Sequence, residues 1–432
     1  AIAVVSFSGQ MMGCLPVDDQ GKPLRKAVIW ADQRGTEQAD ELREKVGMGT
    51  VYKTTGHRAS ANYSAAKIMW IRDEEERIFE KTDKFLQAKD YIAFKLTGKI
   101  STDYSDASGT NIFDLEKKEW SDEILEEVKI PKSKLPEPNQ SHEIVGEVTE
   151  EPCKATGLRK GTPVVIGGGD GSCAATGAGV VEAGSAYNYL GSSSWIALST
   201  DDPVYDPEMR TFNWVHLDPE KYSPCGTMQT AGGSLDWGKE VLGKDLEKMA
   251  EQEGKDPYEL IDEKASRSPP GSNGLIFLPY LIGERSPLWN PKARGGFIGL
   301  TRKHERKDLL RSIIEGVTLN LKIILEALLR EAGPIDKIRA IGGGAKSPLW
   351  RKIMADVYGK PILLTNHPQE STSLGAAVAG GVGVGMFQGY EVADEIISFP
   401  DRQDPEEENH ELYKNMGEVF EESYRNLKKT FD

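Results

Sequence analysis

Four kinds of residue in this chain have the right types and spacing to do chemistry. Asp170 follows a strand-like apolar run in Val164-Val165-Ile166-Gly167-Gly168-Gly169-Asp170-Gly171. As an acid at the end of a buried strand it has two jobs open to it. It can cap the segment 171–178, a role whose removal costs about 1 kcal/mol. It can also accept a proton from a substrate hydroxyl, a role worth ~10²–10⁴-fold in rate. Residue types alone leave these even. Two further glycine-rich turns follow apolar runs, Leu190-Gly191-Ser192-Ser193-Ser194 and Ile341-Gly342-Gly343-Gly344-Ala345-Lys346-Ser347. Glycine lets a backbone bend sharply and bring its N–H groups close to an anion. Any one such turn is more often a plain tight connection. Three in one chain, one with an acid and one with a run of hydroxyls, point toward phosphate handling. Met11 and Met12 form an adjacent pair whose bland reading is core filling.

The common nucleotide motifs are absent. None of the Gly-Lys pairs is followed by Ser or Thr, so there is no Walker loop. The dinucleotide fingerprint fails because Ser172 and Ser347 stand where the third glycine belongs, and no G-x-S-x-G elbow occurs.

The elements that must position these residues alternate short apolar strands with amphipathic helices, the pattern of an α/β architecture. Helical spacing covers 36–47, 64–82, 307–332 and 406–431. In the third of these, Leu309, Leu310, Ile313, Ile314, Val317, Leu321, Ile324, Leu325, Leu328 and Leu329 make one stripe, and Gly333-Pro334 stops the helix. The last carries Leu412, Met416, Phe420, Tyr424, Leu427 and Phe431. Strands are expected at 1–7, at 164–166, near 186–198 and at 210–217. The Pro-rich, charged stretch 131–163 reads as a surface passage. A boundary near 178–185 divides the chain into domains 1–180 and 181–432. The run Ala1–Phe7 reads at once as a strand with nothing before it to pair with, so the first domain reads as truncated and this strand as an unpaired edge.

Composition narrows the class. The 432 residues carry 53 Lys and Arg against 68 Asp and Glu, a net charge of −15 with His neutral. Such a chain repels phosphate backbones and anionic lipid, which disfavours nucleic-acid or membrane-surface partners. No apolar run reaches the ~18–20 residues of a membrane span. Cys14, Cys153, Cys173 and Cys225 are widely spaced, which argues against a disulfide framework or structural zinc and fits a reducing cytoplasm.

In order and spacing the chain resembles the FGGY carbohydrate kinases, and within them the kinases of ketopentoses such as D-xylulose. The resemblance rests on Ser8-Gly9-Gln10-Met11-Met12-Gly13, Ile29-Trp30-Ala31-Asp32-Gln33-Arg34, Asn62 through Glu74 with Lys67 and Trp70, Lys89-Asp90-Tyr91, and Thr102 through Thr110. It continues in Pro279 through Pro287, Gly342 through Asp356 and Ser373-Leu374-Gly375-Ala376-Ala377. It runs along nearly the whole chain. It implies two actin-like, ribonuclease-H-like domains with ATP and sugar in the cleft between them, and an enzyme that phosphorylates a sugar hydroxyl. Asp170 would be the general base and would meet Mg²⁺ through water. Gln10, Met11, Met12, Trp30, Asp170 and Gly171 would bind the sugar. Gly191, Ser192, Ser193, Gly232, Asp236, Gly344 and Ser347 would bind the nucleotide. The implied partners are a small sugar, ATP and Mg²⁺, with a homodimer left open.

Two departures bear on the sugar. Met12 stands where the loop of those kinases typically carries His, and Gly171 where they often carry an amide. Both remove polar contacts, which leaves other ketoses and polyols (ribulose, erythritol, glycerol) and a non-catalytic sugar-binding regulator as alternatives. Glycerol kinases typically place Arg-Glu at the positions of Met11 and Met12, which disfavours glycerol. The family's opening Asp-Gly-Thr-type phosphate loop is not in this sequence, so the polypeptide is expected to turn over poorly or not at all.

Overall fold

A computed structural model describes residues 2–431. The chain divides into two compact units. The first gathers 1–183, 198–224 and 370–397, and the second 184–197, 225–369 and 398–432. Where the sequence suggests one boundary near 178–185, the chain returns to the first unit twice.

In the first unit the strands are short and the helices carry the core. Leu42, Val51, Ile68, Met69, Phe113, Ile124 and Val128 are buried together, drawn from the helices and the segment 112–115. The helix expected over 64–82 is two helices, Ser64–Glu74 and Glu76–Lys81, because Glu75 leaves helical geometry between them. Helix Thr36–Val46 forms as the spacing requires. The strand and bare edge expected at 1–7 are not borne out. Val5 makes an isolated parallel bridge to Val164, and Ser8–Gly9 pairs in parallel with Gly168–Gly169. Val28 bridges Cys14, and the chain then turns through Ile29-Trp30 without forming a strand.

That two-residue pair joins the two segments the sequence singled out, in the register Ser8↔Gly168 and Gly9↔Gly169. Helix Asp170–Gly177 follows and packs on helix Ser371–Gly383 of the same unit. The two come so close that a Cβ on Gly177 would lie 1.7 Å from the Ser371 carbonyl oxygen, and one on Gly375 2.0 Å from that of Cys173. Only glycine fits at such a crossing.

The second unit is built on six neighbouring strands of a seven-stranded mixed sheet, in the order Tyr222–Met228, Ser194–Leu198, Ala186–Leu190, Ile338–Ile341, Ile362–Leu364 and Asp401–Gln403. Strand 194–198 is antiparallel to 222–228; the fourth joins 186–190 in parallel and the fifth joins the fourth in parallel. This 3-2-1-4-5 order, extended by an antiparallel edge strand, is the ribonuclease-H-like, actin-like pattern. Helix Arg306–Ala332 is buried along most of its length and stops at Gly333. On the last helix, Glu407–Phe431, the buried stripe is Tyr413, Met416, Phe420 and Tyr424. Leu412 is exposed instead, because Tyr413 turns inward to a buried polar cluster. Its hydroxyl donates to Glu315 Oε1 at 2.6 Å and accepts from Arg311 at 3.1 Å. Among the described residues no helix is long and apolar enough to cross a membrane.

Candidate functional site

In the first unit Asp170 is the first residue of its helix, with Gly169 as N-cap, so it is not itself the cap. Its Oδ1 accepts from the N–H of Gly171 at 2.9 Å. Partial burial outweighs that bond and lifts the carboxyl from 3.8 to about 6. The carboxylate is therefore the main form at neutral pH, with a basicity closer to physiological than an ordinary Asp.

Met11 is brought directly to this place. A Cβ on Gly169 would fall 2.5 Å from Met11 Cγ and 2.6 Å from its Sδ, and one on Gly171 would lie 3.8 Å from Sδ. Gly169 thus lets the thioether lie beside the acid, whereas a Cβ at 171 would make only an ordinary contact with it. Met12 is also buried and holds φ +62°, a left-handed conformation unusual for a residue with a side chain. Gln10 is exposed, and Trp30 is 37 % exposed.

Beneath the paired segments sits a charge cluster that residue types alone do not reveal. The fully buried Lys89 ammonium lies 2.7 Å from Asp90, 2.8 Å from Asp103 and 3.3 Å from Asp106. Three carboxylates on one cation cannot all stay ionised in the dry interior, and burial pushes Asp106 well above the usual range. The other side of Asp103 accepts from Ser105 Oγ at 2.5 Å and Ser141 Oγ at 2.8 Å. Ser105 Oγ in turn accepts from the Gly169 N–H at 2.9 Å, one residue before Asp170. The signal was present in Lys89-Asp90 and Thr102 through Asp106, but only folding shows that these acids share one lysine.

In the second unit a pocket of about 1210 Å³ gathers Gly191, Ser192, Gly232, Asp236, Gly344 and Ser347, six of the seven nucleotide candidates. Ser193 does not line it; its carbonyl closes the hairpin by accepting from Gly191 N–H at 2.9 Å. The N–H groups of Ala231, Gly232 and Gly233 are already engaged, donating to the carbonyls of Ser192 and Gly191 at 2.8–3.0 Å. They fasten helix Gly232–Leu242 to the turn and are not free to hold an anion. A Cβ on Gly232 would meet the Gly191 carbonyl at 2.5 Å. Ser347 caps helix Pro348–Tyr358 by accepting from Trp350 N–H at 3.0 Å.

The opposite wall was not foreseen. It is helix Pro257–Ala265, which presents Tyr258, Glu259, Asp262 and Glu263 to the pocket. The Tyr258 hydroxyl donates to Asp236, and Asp262 is lifted to about 6 by burial. Such a wall repels phosphates and suits the uncharged part of a nucleotide. Glu284, also unforeseen, is buried and accepts from the N–H groups of Gln229 and Arg285 at 2.7 and 2.9 Å, which pins the chain just before the 231–233 turn.

A base-strength acid beside a glycine pair in one unit, and a glycine-lined pocket on a ribonuclease-H-like sheet in the other, define the class as a sugar-kinase fold. Comparison with known proteins agrees. Residues 1–177 match the N-terminal domain of the FGGY family of carbohydrate kinases, and residues 186–384 match its C-terminal domain. The chain is 35% identical over 427 residues to a xylulose kinase of Staphylococcus epidermidis, covering 98% of this chain and 82% of that protein. It is 32% identical to a gluconokinase of Bacillus subtilis, covering 97% and 82%. The crystal structure of a ligand-bound xylulose kinase from Lactobacillus acidophilus superposes with a TM-score of 0.92 at 27% identity, covering 100% and 85%.

The chain belongs to the FGGY family of carbohydrate kinases, and it is an enzyme of that class. Members of this family use ATP as phosphate donor.

Proposed function

We propose that the chain phosphorylates a ketopentose, D-xylulose first among them, with Asp170 as general base and ATP bound in the second unit's pocket. The observation that carries this reading is Asp170 itself, a half-buried carboxyl held at about 6 beside Met11 and Gly169. Phosphoryl transfer asks little covalent chemistry of a protein; it asks for alignment and for a proton acceptor. Oδ1 is engaged by Gly171, which leaves Oδ2 to take the proton. As the sugar oxygen bonds to the γ-phosphorus and the bond to ADP breaks, the hydroxyl proton passes to this carboxylate. Gln10, Met11, Met12, Trp30 and Gly171 shape the sugar side. Gly191, Ser192, Gly232, Asp236, Gly344 and Ser347 hold the nucleotide, with Ser193 setting the turn.

Among the described residues no three His, Cys, Asp or Glu side chains gather as a metal site. The Asp170 carboxylate, an oxygen donor, fits Mg²⁺ brought in on the triphosphate and would reach it through water. When bound, the ion neutralises charge on the β- and γ-phosphates. The four free cysteines and the acidic surface suit a cytoplasmic enzyme.

A second reading, phosphorylation of gluconate, is favoured by the Bacillus subtilis gluconokinase at 32% identity. The test is ADP release with D-xylulose, ribulose, erythritol, glycerol and gluconate, using Asp170→Asn as control. The reading expects D-xylulose to give the highest kcat/KM. A panel led by gluconate replaces the substrate. Sugar-dependent turnover that persists in Asp170→Asn removes the base.

A further inference from the structure

Three polar side chains on one short segment converge on the backbone of both sugar-facing stretches. Lys67 is fully buried within helix Ser64–Glu74. Its Nζ donates to the Met12 carbonyl at 2.9 Å and also to the Asn62 carbonyl. Ser64 Oγ donates to the Gly13 carbonyl at 2.8 Å. Asn62, itself buried, donates from Nδ2 to the Trp30 carbonyl at 3.2 Å, while its Oδ1 accepts from Ser60 Oγ at 3.0 Å.

These bonds act where the backbone is least settled by its own preferences. Met12 sits at φ +62°, and a side-chain-bearing residue stays there only when its surroundings hold it. Hydrogen bonds to the carbonyls of Met12 and Gly13 fix the orientation of both peptide planes, and so the direction in which Met12 points. Trp30 lies in a stretch with no strand or helix, and the Asn62 amide ties its carbonyl to the same segment. Because Lys67 also grips the Asn62 carbonyl, the two tethers move as one.

We infer that Asn62 and Lys67 are positioning residues that set sugar specificity, by fixing Met12 and Trp30 relative to each other from a single helix start. The inference rests on the reading of residues 10–12 and Trp30 as the sugar side. It makes Asn62 a tuning position, since no atom of it need touch the substrate for it to change which substrate fits.

The experiment measures KM for sugar and for ATP, and the ranking of a sugar panel, in wild type, Asn62→Ala and Asn62→Asp. The Asp variant keeps the shape and removes the donor. Loss of one such bond is expected to raise sugar KM about tenfold, leave ATP KM within about twofold, and alter the panel ranking. Lys67→Met should do the same more strongly and Lys67→Arg less. The Asn62 variants decide the matter if the buried lysine proves necessary for folding. Equal rises in both KM values, or an unchanged sugar KM and ranking, overturn the inference while leaving the kinase reading intact. Failure of wild type to bind any sugar of the panel in titration calorimetry overturns the sugar-side reading and this inference with it.

Discussion

Replacing Asp170 by Asn should separate activity from stability, in opposite directions. The side chain keeps its shape and loses its charge. As a general base Asp170 is worth ~10²–10⁴-fold, so kcat should fall by that factor with ATP binding unchanged. The wild-type rate should fall as pH drops through about 6, and the Asn variant should show no such limb. Stability follows from the same number. The unfolded carboxyl releases its proton near 4 and the folded one near 6, so between those values the unfolded state binds fewer protons and stability falls as pH rises. Above pH 6 the whole penalty is present. A shift of about two units corresponds to ~3 kcal/mol at most, and partial exposure reduces it to the order of 1 kcal/mol. Asp170→Asn should therefore resist denaturant better than wild type by about that amount at pH 7, and match it below pH 4. ADP release and urea titrations at pH 4, 6 and 7 provide the assay. A variant within tenfold of wild-type kcat, or one less stable at pH 7, would refute the assignment.

Lys89→Met leaves three buried carboxylates without their cation and should cost ~3–5 kcal/mol at pH 7. Urea denaturation of wild type and variant at pH 7 will show the deficit. Gly375→Ala forces a methyl group to within 2.0 Å of a backbone oxygen; a loss of at least ~1–3 kcal/mol is expected, read as a lower Tm. Gly232→Ala meets the Gly191 carbonyl at 2.5 Å and should raise KM for ATP with little change in KM for sugar, measured by initial rates.

How much of this was legible depends on the range of the interactions. Helix Arg306–Ala332 and its stop at Gly333 follow from local spacing and were read nearly to the residue. The break at Glu75 was not, because apolar periodicity continues across it. The strand expected at Ala1–Phe7 shrank to a bridge at Val5, since apolar content alone does not say whether a partner strand lies alongside. Asp170 and the glycine turns can be singled out from the sequence because the chemistry they suggest is written in adjacent residues. Helix Pro257–Ala265, Glu284 and the Lys89 cluster were missed because each acts on a segment distant in sequence. Tyr413 displaced Leu412 from the interior for the same reason: its partners Arg311 and Glu315 lie about a hundred positions earlier.

The glycine crossing between helices 170–177 and 371–383 also orders events during synthesis. The proposed base is translated early, yet the element buttressing its helix emerges some two hundred codons later. At a ribosomal pace of ~5–20 residues per second, that is a delay of ten seconds or more. Nascent chains should thus pass through a stage in which the acid is present but unsupported, and sugar phosphorylation should begin only once the distant helix has docked.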